Sequence, residues 1–360
     1  MPDPKFIAQR ILDHHPQVPP LVTLEIYPTL RCNLDCQFCD TTDRHRPPQN
    51  ELPPEQWKQI IRDAAEMGAK QIFVLGGGEP FIYPELLDLL ETAKQSGLWG
   101  MLTTNGTFLN QQRRQRLLDM GWDEIHISLD GATAQTHDRL RGKHGTFAKI
   151  IGAICAFRAE KARRGLDYPA IVLHWVITNQ NFREIPAVIR LARSLGIQRI
   201  DFDGLIAYTP EQRSLELSPH QHLELQEIAR DGLLLANRYQ IQTTLAHHIG
   251  HQRGQVAPPI GQQSGLGGAP CYKPWHHLTI QADGRISPCC VLAGEGESIH
   301  NQRLSVLWNK SPYLQNLRHN MFHHTPTKRC RECSPNILVQ EHQIQGEILN
   351  LSRKSSEADK

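Results

Sequence analysis

Residues 22–39 read Val-Thr-Leu-Glu-Ile-Tyr-Pro-Thr-Leu-Arg-Cys-Asn-Leu-Asp-Cys-Gln-Phe-Cys. The apolar, β-branched start (22–27) predicts a buried strand, and three thiols, Cys32, Cys36 and Cys39, follow it directly. Working outward, the same strand signal returns at 71–75, 99–104, 124–129, 170–177 and 199–205. Between these runs apolar residues recur at helical spacing. They are Trp57, Ile60, Ile61 and Ala64 after Pro54; Leu86, Leu89, Leu90 and Ala93; Phe147, Ile150, Ile151, Ile154 and Cys155; and Ile185, Val188, Ile189 and Ala192. A polar helix is predicted near 110–120. Six strands alternating with helices imply parallel βα units, a signature that an open sheet and a partial barrel share.

After residue 215 the rhythm changes. Residues 218–238 predict a helix, 241–246 a strand, and the Gly-rich stretch 261–270 a linker or mobile loop. Residues 276–289 predict a β-hairpin turned at Asp283-Gly284, and the polar end, 352–360, predicts disorder. The expected divisions are 1–20, an N-terminal helix or extension; 21–215, the α/β core; 216–268, a helical linker; 269–336, a cysteine-rich domain; and 337–360, a tail.

Composition narrows the function. Of 360 residues, 39% are hydrophobic and 21% charged, enough apolar material for a sizeable core. Lys and Arg total 39 against 37 Asp and Glu, a net charge of +2 that argues against a nucleic-acid binder or a polybasic membrane protein. No apolar run approaches the roughly 18 residues of a membrane span, and the first residues lack an apolar signal core. A cytoplasmic protein is the expectation. Of nine cysteines, eight fall in two groups, which read as metal ligands and not a disulfide scaffold, and Cys155 stands alone.

Three thiols within eight residues can wrap one metal centre. A structural zinc site wants four closed ligands. A 4Fe–4S cluster on three thiolates keeps one iron open for a substrate or cofactor. The later group pairs Cys271 with Cys289, and Cys330 with Cys333, across a hairpin and a CxxC; it suits zinc or an iron–sulfur cluster. Cys290 stands beside Cys289. If both lay on a strand they would point to opposite faces, leaving Cys290 as buried filler or as a hydrogen-atom donor. Cys155 reads as core. Asp201 and Asp203 share a face of the sixth strand, with Phe202 on the other; Asp203 is a candidate substrate contact or a cap. His247, His248 and His251 are a weaker metal candidate, read mainly as solvated.

Cys32-x3-Cys36-x2-Cys39, with Phe38 before the last cysteine, resembles the signature of radical S-adenosylmethionine (SAM) enzymes. Gly76-Gly77-Gly78-Glu79-Pro80 after the second strand resembles that family's GGEP element, which the resemblance assigns to the methionine amino group of SAM. Thr104-Asn105-Gly106 follows the third strand. Ser128-Leu129-Asp130-Gly131 and His137-Asp138-Arg139-Leu140-Arg141-Gly142 are similar to the SLDG…HDxxRG stretch of members that carry an auxiliary cluster domain. By the same resemblance Gly77, Gly78, Glu79, Pro80, Asn105, Ser128, Asp130, Arg141 and Asn179 are expected to bind SAM. Competing roles are a tight turn for the glycines, an ion pair for Arg141 and a loop cap for Asn179.

Cys271-x12-Gly284-x4-Cys289 with Cys330-x2-Cys333 resembles the SPASM/Twitch auxiliary domain. With no cysteine after Cys333, the short Twitch form with one auxiliary 4Fe–4S cluster is implied. The resemblance thus implies a partial (β/α)6 TIM-like barrel of α/β class with a small C-terminal hairpin domain. It also implies SAM, a SAM-binding 4Fe–4S cluster on Cys32, Cys36 and Cys39, and a second on Cys271, Cys289, Cys330 and Cys333. The implied activity is reductive cleavage of SAM to a 5′-deoxyadenosyl radical that abstracts a substrate hydrogen. The auxiliary cluster would accept an electron, and a flavodoxin- or ferredoxin-type donor would supply one. The expected reaction is oxidation or rearrangement of a small or medium-sized molecule, because only about 21 residues precede the first strand, short of a leader-binding domain. Peptide modification is the alternative, and a non-enzymatic metal-binding protein a remote one. No partner nucleic acid or membrane is expected.

Overall fold

The structure, a computed structural model, describes residues 3–39, 50–75, 77–207, 209–249, 266, 269–333 and 335–358. Its centre is a sheet of nine strands: β1 (Thr23–Ile26), β2 (Gln71–Val74), β3 (Trp99–Thr104), β4 (Glu124–Ser128), β5 (Ala170–Ile177), β6 (Arg199–Gly204), β7 (Gln242–Thr243), β8 (His277–Ile280) and β9 (Ile286–Ser287). The order is β7-β6-β5-β4-β3-β2-β1-β8-β9. Every neighbouring pair is parallel except the β8–β9 hairpin. The sheet is open, as a partial barrel requires.

Strand alternation divides the sheet into two unlike faces. Leu24, Ile26, Ile72, Val74, Leu102, Ile125, Ile127, Leu173, Trp175, Ile200, Phe202, Leu278 and Ile280 join the core beneath the helices. Full burial of one such side chain contributes about 1.5–3 kcal/mol. The helical stripes read from the sequence meet this face: Trp57, Ile60, Ile61 and Ala64, then Leu86, Leu89 and Leu90, then Ile185, Val188, Ile189 and Ala192 are all buried. The opposite face carries three polar groups: Glu25 with His277; Glu124, His126, Arg199 and Asp201; and His174 with Asp203. A parallel sheet covered on both faces by helices is apolar on both. Here one face is charged, and charged groups kept indoors are costly unless they are used.

The expected hairpin is present, and its β8 pairs with β1 in register Thr23↔His277 to Ile26↔Ile280, so the cysteine-rich segment is built onto the barrel sheet. Three expectations need correction. The strand expected at 241–246 shrinks to Gln242–Thr243 and gives way to a 3-10 turn, Leu245–His248. Cys155 is exposed, because the buried stripe of its helix runs through Ile150, Ala153, Ile154 and Phe157 and passes it by. The tail is not disordered: a helix runs from Pro335 to Ala358. Its Ile344 and Ile348 pack with Ile7, Ile11, Tyr272, Trp275 and Met321, under the first helix (Pro4–His14). Polar composition hid this helix because only a narrow stripe of it is apolar. The Gly-rich segment expected at 261–268 lies outside the described residues apart from Leu266.

Candidate active site

The loops that follow β1 to β4 meet at one end of the sheet, where parallel α/β barrels place their chemistry. The thiol loop is held from three sides. Asp35 and Gln37 donate backbone N–H groups to the carbonyls of Arg141 and Leu140 (3.2 and 2.9 Å). Asn33 Oδ1 accepts from Asn105 Nδ2 at 2.9 Å, and its Nδ2 donates to Thr107 at 3.0 Å. Arg31, just before Cys32, forms a two-pronged pair with Glu51 (both contacts 2.9 Å), and Thr29 donates to the same carboxylate. Neither Arg31 nor Glu51 stands out in the sequence.

The glycines are a matter of space. Gly77 has φ +70°. A Cβ on Gly78 would come within 2.0 Å of the Arg31 carbonyl oxygen. The Gly loop is therefore pressed against the thiol loop, with Gly78 and Glu79 donating to the Thr29 and Arg31 carbonyls (3.1 and 2.9 Å). Gly76 lies outside the described residues. Glu79 is buried. Its Oε1 accepts from Thr104 Oγ1 (2.7 Å) and the Phe81 N–H (3.2 Å), and its Oε2 from the Asn105 N–H (2.7 Å). Burial pushes its pKa up, and these three donors offset only part of that.

Arg141 is not a surface ion pair. Its Nε donates to Asp130 Oδ2 at 2.6 Å, its Nη1 stands 3.6 Å from Cys36 Sγ, and its guanidinium lies 5.2 Å from the Phe38 ring centre. Asp130 is fully buried and its other oxygen accepts the Val176 N–H at 2.7 Å, so Asp130 holds Arg141 and strand β5 together. Ser128 ends β4 opposite His174. Asn179 spends its amide nitrogen on the carbonyls of Ser214 and Glu216 (2.7 and 3.1 Å), the work of a loop clamp.

Below this mouth the charged face begins. His174 Nε2 meets Asp203 Oδ2 at 2.7 Å. Burial lowers the His174 pKa, but the Asp203 hydrogen bond and charge outweigh it and hold the value above normal. Deeper, Glu124 Oε1 meets His126 Nε2 at 2.6 Å, and Arg199 joins Glu124 (3.3 Å) to Asp201 (2.6 Å). Asp203 thus lies with a partner, His174, that the sequence reading had not singled out. His248, a weak metal candidate, instead contacts the Phe202 carbonyl at 2.9 Å; His251 lies outside the described residues.

The second thiol group is assembled from distant segments. Cys271 precedes a short helix (Lys273–His276), Cys289 follows β9, Cys330 lies within a 3-10 turn, Arg329–Glu332, and Cys333 directly follows it. Burial pushes the Cys289 thiol up to about 12 and Cys271 well above its normal value, and neighbouring thiols raise both further. In the early loop burial likewise pushes Cys36 up to about 11, and Cys39 raises it and Cys32 further. Desolvated thiols that repel one another as thiolates are suited to a cationic iron–sulfur core. Among the described residues no three side chains converge on a point a single metal ion would occupy, which a cluster bonded one thiolate per iron does not require. Cys290 does not lie on a strand. It opens a 3-10 turn, Cys290–Leu292, and is exposed, so it is not buried filler. Burial nonetheless raises its pKa, as do Glu25 and Cys289. Glu25, near the end of the sheet's first strand, and Tyr27 just after that strand are among the groups near this thiol.

Comparison with known proteins agrees with this geometry. Residues 26–192 match the family model described as the radical SAM superfamily, and residues 271–334 match that of an iron–sulfur cluster-binding domain, SPASM. The chain belongs to the radical SAM superfamily. It is an enzyme of that superfamily with a C-terminal SPASM domain, and its chemistry uses SAM and 4Fe–4S clusters. It is 26% identical over 321 residues to the AdoMet-dependent heme synthase of Methanosarcina barkeri, covering 83% of this chain and 85% of that protein. It is 26% identical over 318 residues to the PqqA peptide cyclase of Gluconobacter oxydans, covering 85% and 80%. Streptococcus suis SuiB bound to S-adenosylmethionine shares the fold, with a TM-score of 0.65 at 17% identity over 86% of this chain and 70% of that one. Among the described residues no helix is long and apolar enough to cross a membrane.

Proposed function

We propose that Cys32, Cys36 and Cys39 hold an open 4Fe–4S cluster and that this enzyme removes a hydrogen atom from a small or medium-sized organic substrate, which it then oxidises. The observation that carries the reading is the meeting of the thiol loop with Gly78, Glu79, Asn105 and Arg141 at one end of a sheet whose inner face is charged. When bound, the cluster and SAM supply a carbon-centred radical by one-electron cleavage of a sulfonium C–S bond. Gly77, Gly78 and Pro80 shape the floor against which SAM lies. Glu79 presents a fixed carboxylate to the methionine ammonium. Ser128 and Arg141 face the remaining polar groups of SAM, with Asp130 orienting Arg141, and Asn179 leaves its Oδ1 for the adenosine side. Cys271, Cys289, Cys330 and Cys333 would hold a second, closed 4Fe–4S cluster, which would accept the electron that the substrate radical gives up on oxidation. On the chamber wall His174, oriented by Asp203, takes the proton a substrate releases on oxidation. A flavodoxin- or ferredoxin-type protein is the proposed electron donor.

A second reading is peptide modification, supported by the similarity to PqqA peptide cyclases and by the shared fold of SuiB bound to precursor peptide SuiA. Within it the exposed Cys290 is the proposed donor of a hydrogen atom to a substrate radical. The test is anaerobic incubation of the reduced enzyme with deuterated candidates of both classes. Deuterium in 5′-deoxyadenosine with a small-molecule candidate supports the first reading. Label from peptides alone contradicts it, and no 5′-deoxyadenosine at all contradicts both.

A further inference from the structure

The helix Pro335–Ala358 lies beyond the segment that matches the SPASM model, yet it reaches that domain's first thiol. Glu341, on this helix, is 1% exposed. Its Oε2 accepts the backbone N–H of Tyr272, the residue after Cys271, at 2.6 Å. Its Oε1 finds no hydrogen-bond donor; His276 Nε2 stands 3.5 Å away. Among charged neighbours Glu341 acts most strongly on the Cys271 thiol. A second charge stands close by. Lys273, 9% exposed, places Nζ 3.2 Å from His277 Nδ1, while His277 Nε2 meets Glu25 Oε2 at 3.1 Å. An ammonium donates only, so His277 Nδ1 is the acceptor and its Nε2–H donates to Glu25. Burial holds His277 neutral, down to about 4. Lys273 therefore stays charged between the second thiol group and the inner face of the barrel, with Glu341, Glu25, Cys290 and Cys271 as its charged or ionisable neighbours.

A buried carboxylate and a buried ammonium beside one thiol are expensive, and neither bonds a thiol directly in this arrangement. Charge and hydrogen bonding around a cluster set its reduction potential. We propose that Glu341 and Lys273 are opposed positioning charges that tune the potential of the auxiliary cluster, which makes the C-terminal helix part of the redox site. Reduction adds an electron to the cluster; Glu341 disfavours that addition and Lys273 favours it. The inference rests on the assignment of that cluster to Cys271, Cys289, Cys330 and Cys333.

The test is an EPR-monitored redox titration of the full-length, anaerobically reconstituted enzyme, with iron and sulfide counted beforehand. Glu341→Gln is expected to move the midpoint of the auxiliary signal to higher potential, Lys273→Met to lower potential, and Glu341→Asp to stay near the parent. Opposite shifts support the proposal, because loosened packing has no reason to move two variants in opposite directions. Midpoints that stay put, or move the same way, overturn it. Loss of the auxiliary signal from both variants, with the early cluster retained, also overturns it, since the charges would then hold the site together and not tune it. Absence of a second cluster in the parent enzyme would instead refute the assignment on which the inference stands.

Discussion

The two thiol groups use opposite means to present sulfur. Cys32, Cys36 and Cys39 sit on one continuous loop, braced by backbone bonds to Leu140 and Arg141 and by the Asn33–Asn105 pair. Cys271, Cys289, Cys330 and Cys333 come from separated segments beneath a C-terminal helix that buries Ile344, Ile348 and Glu341. A local loop supplies three ligands and leaves a side open for SAM. A site assembled from three segments can supply four ligands and close, and a covered site can hold fixed charge where water does not screen it. The difference teaches that the first group is specified by spacing and the second by tertiary structure.

The strongest way to break the comparison is to remove one thiol from each group. Cys32→Ala is expected to abolish 5′-deoxyadenosine formation, read by chromatography under dithionite, while the second iron–sulfur signal persists. Cys330→Ala is expected to spare SAM cleavage more than product formation. If the two variants behave alike, the groups do not have separate roles. Next comes Gly78→Ala. Its Cβ would meet the Arg31 carbonyl at 2.0 Å, so the thiol loop has to move. A cost of about 1–3 kcal/mol, seen as a lower melting temperature together with weakened SAM binding, is expected.

How much of this was legible follows the same divide. The first thiol loop, the Gly loop and the presence of strands β1 to β6 were legible because local spacing and alternation carry them. The partnership of His174 with Asp203 was not, since it needs β5 and β6 in register, His174 opposite Asp201. Glu341 was not, because the helix that carries it looks polar and its target lies about 70 residues earlier in sequence. Lys273 and Glu25 were missed for the same reason: β8 had to be seen beside β1. For Cys290 only the placement on a strand and the buried-filler alternative fell away, because the chain turns there and leaves the thiol exposed.

Smaller effects sharpen the picture. Ile348→Ala, in the helix over the second group, is expected to cost about 2–4 kcal/mol by denaturant titration and to loosen the auxiliary cluster before the early one. The His174–Asp203 pair predicts a pH dependence. The folded pKa of His174 is raised, so its contribution is fully present below the unfolded value of about 6.5 and is lost as pH rises through the folded value. Melting curves of Asp203→Asn and the parent should differ at pH 5.5 and converge at high pH; a gap that widens with pH would contradict the pairing. Cys155→Ala, exposed and outside both groups, should change stability by less than about 0.5 kcal/mol.

The most direct measurement is EPR of the reduced, anaerobically reconstituted enzyme with and without SAM. The account predicts two cluster signals, of which SAM perturbs one, and predicts that Cys330→Ala removes the signal SAM leaves alone. A colourless protein holding zinc at Cys32, Cys36 and Cys39, or a SAM-induced change that disappears with Cys330, would contradict it.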